Sequence, residues 1–135
     1  MPMRPLMMLI PLAALTAGAC TEAAPEARYT RDKARLARLL AGRVAGEPVN
    51  CIFPTASSGG TIYGDDTIIY RDGARLWRTG PVGACPGLRP DVILVIDRFG
   101  SQLCRNDRFR TVDRGVGIPS GDCRFDSFTP YTRAK

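Results

Sequence analysis

The chain has 135 residues, 44% of them hydrophobic, and carries 19 basic against 13 acidic residues for a formal net charge of +6, with no histidine. This length and apolar content suit one packed core and exclude gross disorder. The lack of histidine excludes Ser-His-Asp and Cys-His nucleophile sets, together with the side chain best suited to proton shuttling near neutrality.

Residues 1–19 have the layout of an export signal. Arg4 gives a positive start, Leu6 to Leu15 is a nearly continuous apolar run, and Ala17-Gly18-Ala19 places small residues before Cys20. The run is about half the roughly 20 residues a helix needs to cross a bilayer, and Pro11 interrupts it. Ala17-Gly18-Ala19 satisfies the small-x-small rule of an ordinary signal peptidase, while Leu15 to Cys20 resembles a bacterial lipoprotein box with Ala17 where such signals favour Leu. Both routes cut before Cys20. Cysteine parity favours lipidation: of Cys20, Cys51, Cys85, Cys104 and Cys123, a lipidated Cys20 leaves an even set for two disulfides in an oxidising compartment. Thr21 in place of Asp after the cysteine resembles outer-membrane lipoproteins. The expected location is therefore the outer membrane facing the periplasm, or the soluble periplasm if Cys20 stays unmodified.

Residues 20–28 read as the lipidated cysteine and a short Ala/Pro/Glu tether, and residues 29–135 as one disulfide-stapled domain. Within that domain, residues 30–41 have a helical pattern, with Thr30 as N-cap, Asp32 in the first turn, Leu36, Leu39 and Leu40 on one side, and Gly42 just past the end. Arg31, Arg35 and Arg38 occupy the opposite side.

From Val49 onward short β-branched or aromatic runs alternate with turn residues, so the rest is expected to be mainly strand. Thr67 to Arg78 reads as a hairpin with Asp72-Gly73 at the turn, which places Ile69 opposite Leu76, Ile68 opposite Trp77 and Tyr70 opposite Arg75. Ile69 and Leu76 then share one face, and Ile68, Tyr70, Arg75 and Trp77 the other. Tyr70, Arg75 and Trp77 form a candidate binding face, where an arginine beside two aromatics suits a sugar ring or an acyl-phosphate head group. The structural alternative is Trp77 in the core with Arg75 over its edge.

Val92 to Ile96 (VILVI) lacks alternation and reads as a central strand covered on both faces. Phe99-Gly100-Ser101 is a turn into Gln102-Leu103-Cys104. Phe109 to Val112 is a strand, Gly115 to Gly121 a glycine-rich loop, and Cys123 to Phe128 the last strand, ended by Pro130. The expected fold is mainly β: a small antiparallel barrel or sandwich with one N-terminal helix and two disulfides.

Cys51, Cys85, Cys104 and Cys123 contain no C-x-x-C pair and have no histidine to complete a mixed site, so disulfides are a better reading than zinc. Three connectivities are open. Asp65-Asp66 and Asn106-Asp107 read as turns, and Ser57-Ser58-Gly59-Gly60 lacks the lysine and helix of a phosphate loop. No catalytic residue, metal site or cofactor is implied.

The blocks LLAGRVAGEPVNCI (Leu39 to Ile52), CPGL (Cys85 to Leu88), GSQLCRND (Gly100 to Asp107) and SGDCRFDSFTPY (Ser120 to Tyr131) resemble, as an ordered set, a family of small exported Gram-negative bacterial proteins of unknown function. The resemblance spans about residues 36–131. It implies a secreted or lipid-anchored single domain and transfers no functional residue. All but two of the basic residues, Lys33 and Lys135, are arginines, which bind phosphate and carboxylate bidentately. The expected role is a non-enzymatic envelope lipoprotein, a structural or binding module that contacts the membrane through its lipid and an anionic envelope component or protein partner through its domain. Export disfavours nucleic acid. The alternative is an inhibitor or accessory subunit that inserts a loop such as Gly115 to Gly121 into an envelope enzyme.

Overall fold

The structure is a computed structural model and describes residues 24–55 and 59–135. The expected export signal, the lipidation site Cys20, the start of the tether, and Ser57 and Ser58 lie outside the described residues.

Helix α1 spans Pro25–Leu40, five residues longer at its start than the pattern from Thr30 predicted. Pro25 occupies the first turn, where its missing N–H and fixed φ cost nothing, and Glu26 adds a favourable charge at the positive end of the helix. Thr30 is therefore no cap: inside the helix, its Oγ1 donates to the Glu26 carbonyl at 2.9 Å. Residues 25–28 of the expected tether are helical instead.

Ten strands follow: β1 (Arg43–Ala45), β2 (Cys51–Ile52), β3 (Thr61–Tyr63), β4 (Thr67–Asp72), β5 (Arg75–Thr79), β6 (Ile93–Asp97), β7 (Leu103–Cys104), β8 (Arg108–Val112), β9 (Pro119–Arg124) and β10 (Thr129–Arg133). They form a five-stranded sheet ordered β1-β10-β5-β4-β3, a three-stranded sheet β6-β8-β9 and a two-stranded sheet β2-β7, with every pairing antiparallel. The sheets do not close into a barrel. They stack as a sandwich, with α1 on the outer face of the largest.

The β4–β5 hairpin sets the faces of that sheet. Asp72 pairs with Arg75, so the two-residue loop is Gly73-Ala74 and not Asp72-Gly73. Gly73 has φ +55° while Ala74 stays outside the left-handed region, the type II′ arrangement that asks for glycine at the first loop position. The ladder is thus two residues away from the expected register: Ile69 faces Arg78, Ile68 faces Thr79 and Tyr70 faces Trp77. A two-residue slip preserves side-chain parity, so the face assignment stands. Ile69 and Leu76 pack with Leu36 and Tyr63 under α1, flanked by Leu39, Leu40 and Tyr131. Ile68 and Tyr70 point the other way, into the main core with Leu103, Phe109, Phe125 and Phe128, all five of the apolar ones fully buried. Phe109 and Phe125 lie 4.4 Å apart between ring centroids.

Three other expectations are corrected. VILVI supplies an edge strand, β6, which pairs only with β8. Its alternation is real: Leu94 and Ile96 pack on the core, whereas Ile93 and Val95 are 41% and 37% exposed because no layer among the described residues covers the outer face of that sheet. The glycine-rich loop is shorter than expected, since Pro119 to Gly121 already belong to β9, and β9 ends at Arg124. Pro130 lies inside the last strand, β10. Its carbonyl accepts from Gly46 N–H, and in a strand a residue's N and C=O point the same way, so its missing donor faces the end of β1, where the ladder stops.

The disulfides are Cys51–Cys104 and Cys85–Cys123. The first joins directly opposed residues of β2 and β7, and the second ties the segment before β6 to β9. Two bridges fit an oxidising compartment. Among the described residues, no helix is long and apolar enough to cross a membrane.

Candidate functional site: an arginine-lined cleft

Parity in the five-stranded sheet brings together basic residues that lie far apart in sequence. Arg71 pairs with Leu76, and Leu76 with Tyr131, so Arg71 lies on the α1 side; Arg133, two residues after Tyr131, shares that side and stands directly opposite Arg43. Arg38, in the last turn of α1, completes the group. These four arginines, with Leu39 and the Ala41-Gly42 corner, line a cleft of about 420 Å³ that has no acidic side chain in its wall.

Arg43 is fixed, its Nη1 donating to the Ala74 carbonyl at 2.6 Å and to that of Tyr131 at 3.5 Å. Among the described residues, no carboxylate stands within ion-pair distance of Arg38, Arg71 or Arg133. Like charges directly opposed across a ladder, as Arg43 and Arg133 are, destabilise a sheet, and the partial negative end of α1 offsets only about half a unit charge. The uncompensated charge gives the cleft the chemistry to suit an anion that accepts from several guanidinium forks at once. Next to it, Arg133 also lines a cleft of about 340 Å³ with Arg75 and Asp72, so a carboxylate tempers the field only on that side.

The Tyr70, Arg75 and Trp77 face is divided by the structure. Arg75 lies over the Trp77 ring, 5.4 Å from its centroid, and Trp77 is half-buried against the core. Tyr70 pairs with Trp77 in the ladder but is only 2% exposed. Burial pushes its hydroxyl pKa well above the ordinary tyrosine value, despite the nearby charge of Arg98. Arg75 and Trp77 thus form a surface pair, and Tyr70 belongs to the core side.

The acidic pairs have structural work. Asp66 follows Gly64 in the β3–β4 turn and receives hydrogen bonds from Lys33 Nζ and from Thr67 Oγ1, which latches α1 to the sheet. Burial raises the Asp66 pKa, but these donors and the charges of Lys33 and Arg78 outweigh it and leave it below the usual carboxylate range. Asp107 accepts from Cys104 N–H at 2.7 Å, with Asn106 at φ +69° in the same turn. Among the described residues, no group of three or more His, Cys, Asp or Glu is placed to hold a metal ion.

The loop after β8 is braced by Asp113, whose carboxylate accepts from the backbone N–H of Gly115 and Val116 and pairs with Arg89. Those backbone hydrogen bonds, with Arg89, hold its pKa below the usual range. Val116 and Ile118 are 69% and 65% exposed on this loop.

The chain matches no protein-family model, no curated protein and no solved structure in the comparisons made with them.

Proposed function

We propose that the protein is a non-enzymatic binding module of the bacterial envelope, anchored in the outer membrane through a lipid on Cys20 and holding an anionic envelope component in the cleft of Arg38, Arg43, Arg71 and Arg133. The carrying observation is four guanidiniums around one concavity without a lining carboxylate. Export is supported by the layout of residues 1–19, by the two disulfides and by the resemblance of the cysteine blocks to small exported proteins. Pyrophosphate is a suitable probe, because its adjacent oxyanions match several forks. Isothermal titration should give saturable binding that weakens as salt rises, and the double substitution Arg71→Glu with Arg133→Glu should abolish it. Undiminished binding by that variant would refute the reading. Intact mass of the protein from its native envelope tests the anchor, with diacylglycerol and an N-acyl chain on Cys20 as the expected result.

A second reading, an inhibitor or accessory subunit, is favoured by the loop braced at Asp113, which offers Val116 and Ile118 to solvent on a stiff support. Val116→Asp with Ile118→Asp would then abolish capture of an envelope enzyme while leaving pyrophosphate binding intact.

A further inference from the structure

On the other side of the five-stranded sheet, a second cleft of about 400 Å³ opens between β6 and Pro54, Thr55, Gly59 and Gly60. Val92, Leu94, Ile96 and Leu103 give it an apolar side within a lining that is polar overall, and two cations, Arg98 and Arg114, complete it with no acidic side chain among the described lining residues. Arg114 is partly engaged, since its Nε donates to the Asp91 carbonyl at 3.0 Å. Arg98 has no carboxylate within ion-pair distance among the described residues.

Tyr70 supplies the second observation. Its ring packs edge-on to Phe125 and Phe128, with centroids 6.4 Å away in each case, so the phenol is fixed. Tyr70 lines this cleft, and its hydroxyl is buried with no hydrogen-bond partner among the described residues. An orphaned buried hydroxyl costs about 1–3 kcal/mol, a cost that a well-packed aromatic core would avoid with phenylalanine. Gly60 lies close against the phenol, where a larger residue would not fit: a Cβ there would lie 3.0 Å from Tyr70 Cζ and Oη and 2.8 Å from Ile68 Cγ2.

We propose that this cleft binds an anionic amphiphile, whose head group accepts a hydrogen bond from the Tyr70 hydroxyl and pairs with Arg98 while its aliphatic chain lies along Val92, Leu94, Ile96 and Leu103. Charge complementarity selects the head, because Arg98 is a cation that can only donate and the Tyr70 hydroxyl can donate beside it. The volume falls within the range of small-ligand sites. The site is separate from the arginine cleft, since consecutive residues Tyr70 and Arg71 project to opposite faces of β4.

The test uses the oxidised protein and two soluble ten-carbon probes below their micelle concentrations, decanoate and decylamine. Titration calorimetry gives stoichiometry, and fluorescence of Trp77, the ladder neighbour of Tyr70, gives location. The expected result is one decanoate per chain with a change in Trp77 emission, and at least tenfold weaker binding of decylamine. Tyr70→Phe and Arg98→Glu should each weaken decanoate by about tenfold, equal to about 1.4 kcal/mol. Tyr70→Phe removes an unpartnered atom and Arg98 is exposed, so both variants keep the fold. Failure of decanoate to saturate, equal binding of decylamine, or a loss confined to one of the two variants would each overturn the proposal.

Discussion

Removing the Cys51–Cys104 bridge should destabilise the domain strongly, and the structure sets the size of the effect. Strands β2 and β7 are two residues each and pair only with one another, so their ladder has little stability without a covalent tie. The bridge spans 53 residues of chain. Constraining a loop of that length in the unfolded state corresponds to about 4 kcal/mol at 25 °C. Both cysteines are partly exposed in the fold, so replacing each with alanine adds little cavity cost. With an unfolding entropy of about 2.1 cal/mol/K per residue over roughly 110 residues, the loss corresponds to a fall of about 17 °C in Tm. Calorimetry of Cys51→Ala/Cys104→Ala beside the oxidised parent measures this directly. Urea unfolding should also show a larger m, because the released chain exposes more surface when unfolded. A Tm within about 4 °C of the parent, under about 1 kcal/mol, would refute the view that this bridge holds β2 and β7 in place.

Leu76 is fully buried between α1 and the sheet, so Leu76→Ala should cost about 2–5 kcal/mol in urea unfolding without loss of the disulfides. Tyr70→Phe should stabilise the free protein by about 1–2 kcal/mol, read as a higher urea midpoint, because it deletes a buried hydroxyl that has no partner among the described residues. Asp66 has a lowered folded pKa, so its contribution is present above the unfolded value and lost as pH falls from about 4 through the folded value. Solvent screening keeps that contribution under about 1 kcal/mol, and Asp66→Asn should flatten this acid limb in stability measured from pH 6 to pH 2.

Much of the fold is legible in the residues themselves because side-chain period and turn chemistry are local properties. The apolar side of α1 is visible in Leu36, Leu39 and Leu40, and the two faces of the β4–β5 hairpin in the alternation from Ile68 to Trp77. The loop was harder to place, since Asp72-Gly73 and Gly73-Ala74 both put Gly73 in the turn and preserve parity. What decides between them is glycine at the first loop position of a type II′ turn. The start of α1 is hard to read because Thr30 looks like a cap, whereas Pro25 at the first turn is the stronger signal. For β6, an uninterrupted apolar run suggested two covered faces, yet coverage is a property of neighbouring layers that no window of sequence contains. Disulfide pairing was open for the same reason. The arginine cleft was hidden altogether: Arg43 and Arg133 become neighbours only through the β1–β10 ladder, and Arg71 joins them through two further strands.

Both clefts follow from one strand. In β4, Tyr70 turns toward the main core and Arg71 toward α1, so the single backbone step between them separates the cleft proposed for a compact multivalent anion from the one proposed for an amphiphile. Neighbours fix that strand on both sides, β3 and β5 by hydrogen bonds and two core clusters by packing, so neither site has an evident means of moving the other. Energetic coupling between sites requires an element with two arrangements that both ligands bias, and a strand held this way has one. The consequence is independence. Arg71→Glu with Arg133→Glu should leave decanoate affinity within about twofold, or about 0.4 kcal/mol, and Tyr70→Phe should leave pyrophosphate affinity equally unchanged. A tenfold cross-effect in either titration would mean that β4 transmits between its faces, and the sandwich would then have to be treated as a two-state element and not as a fixed partition.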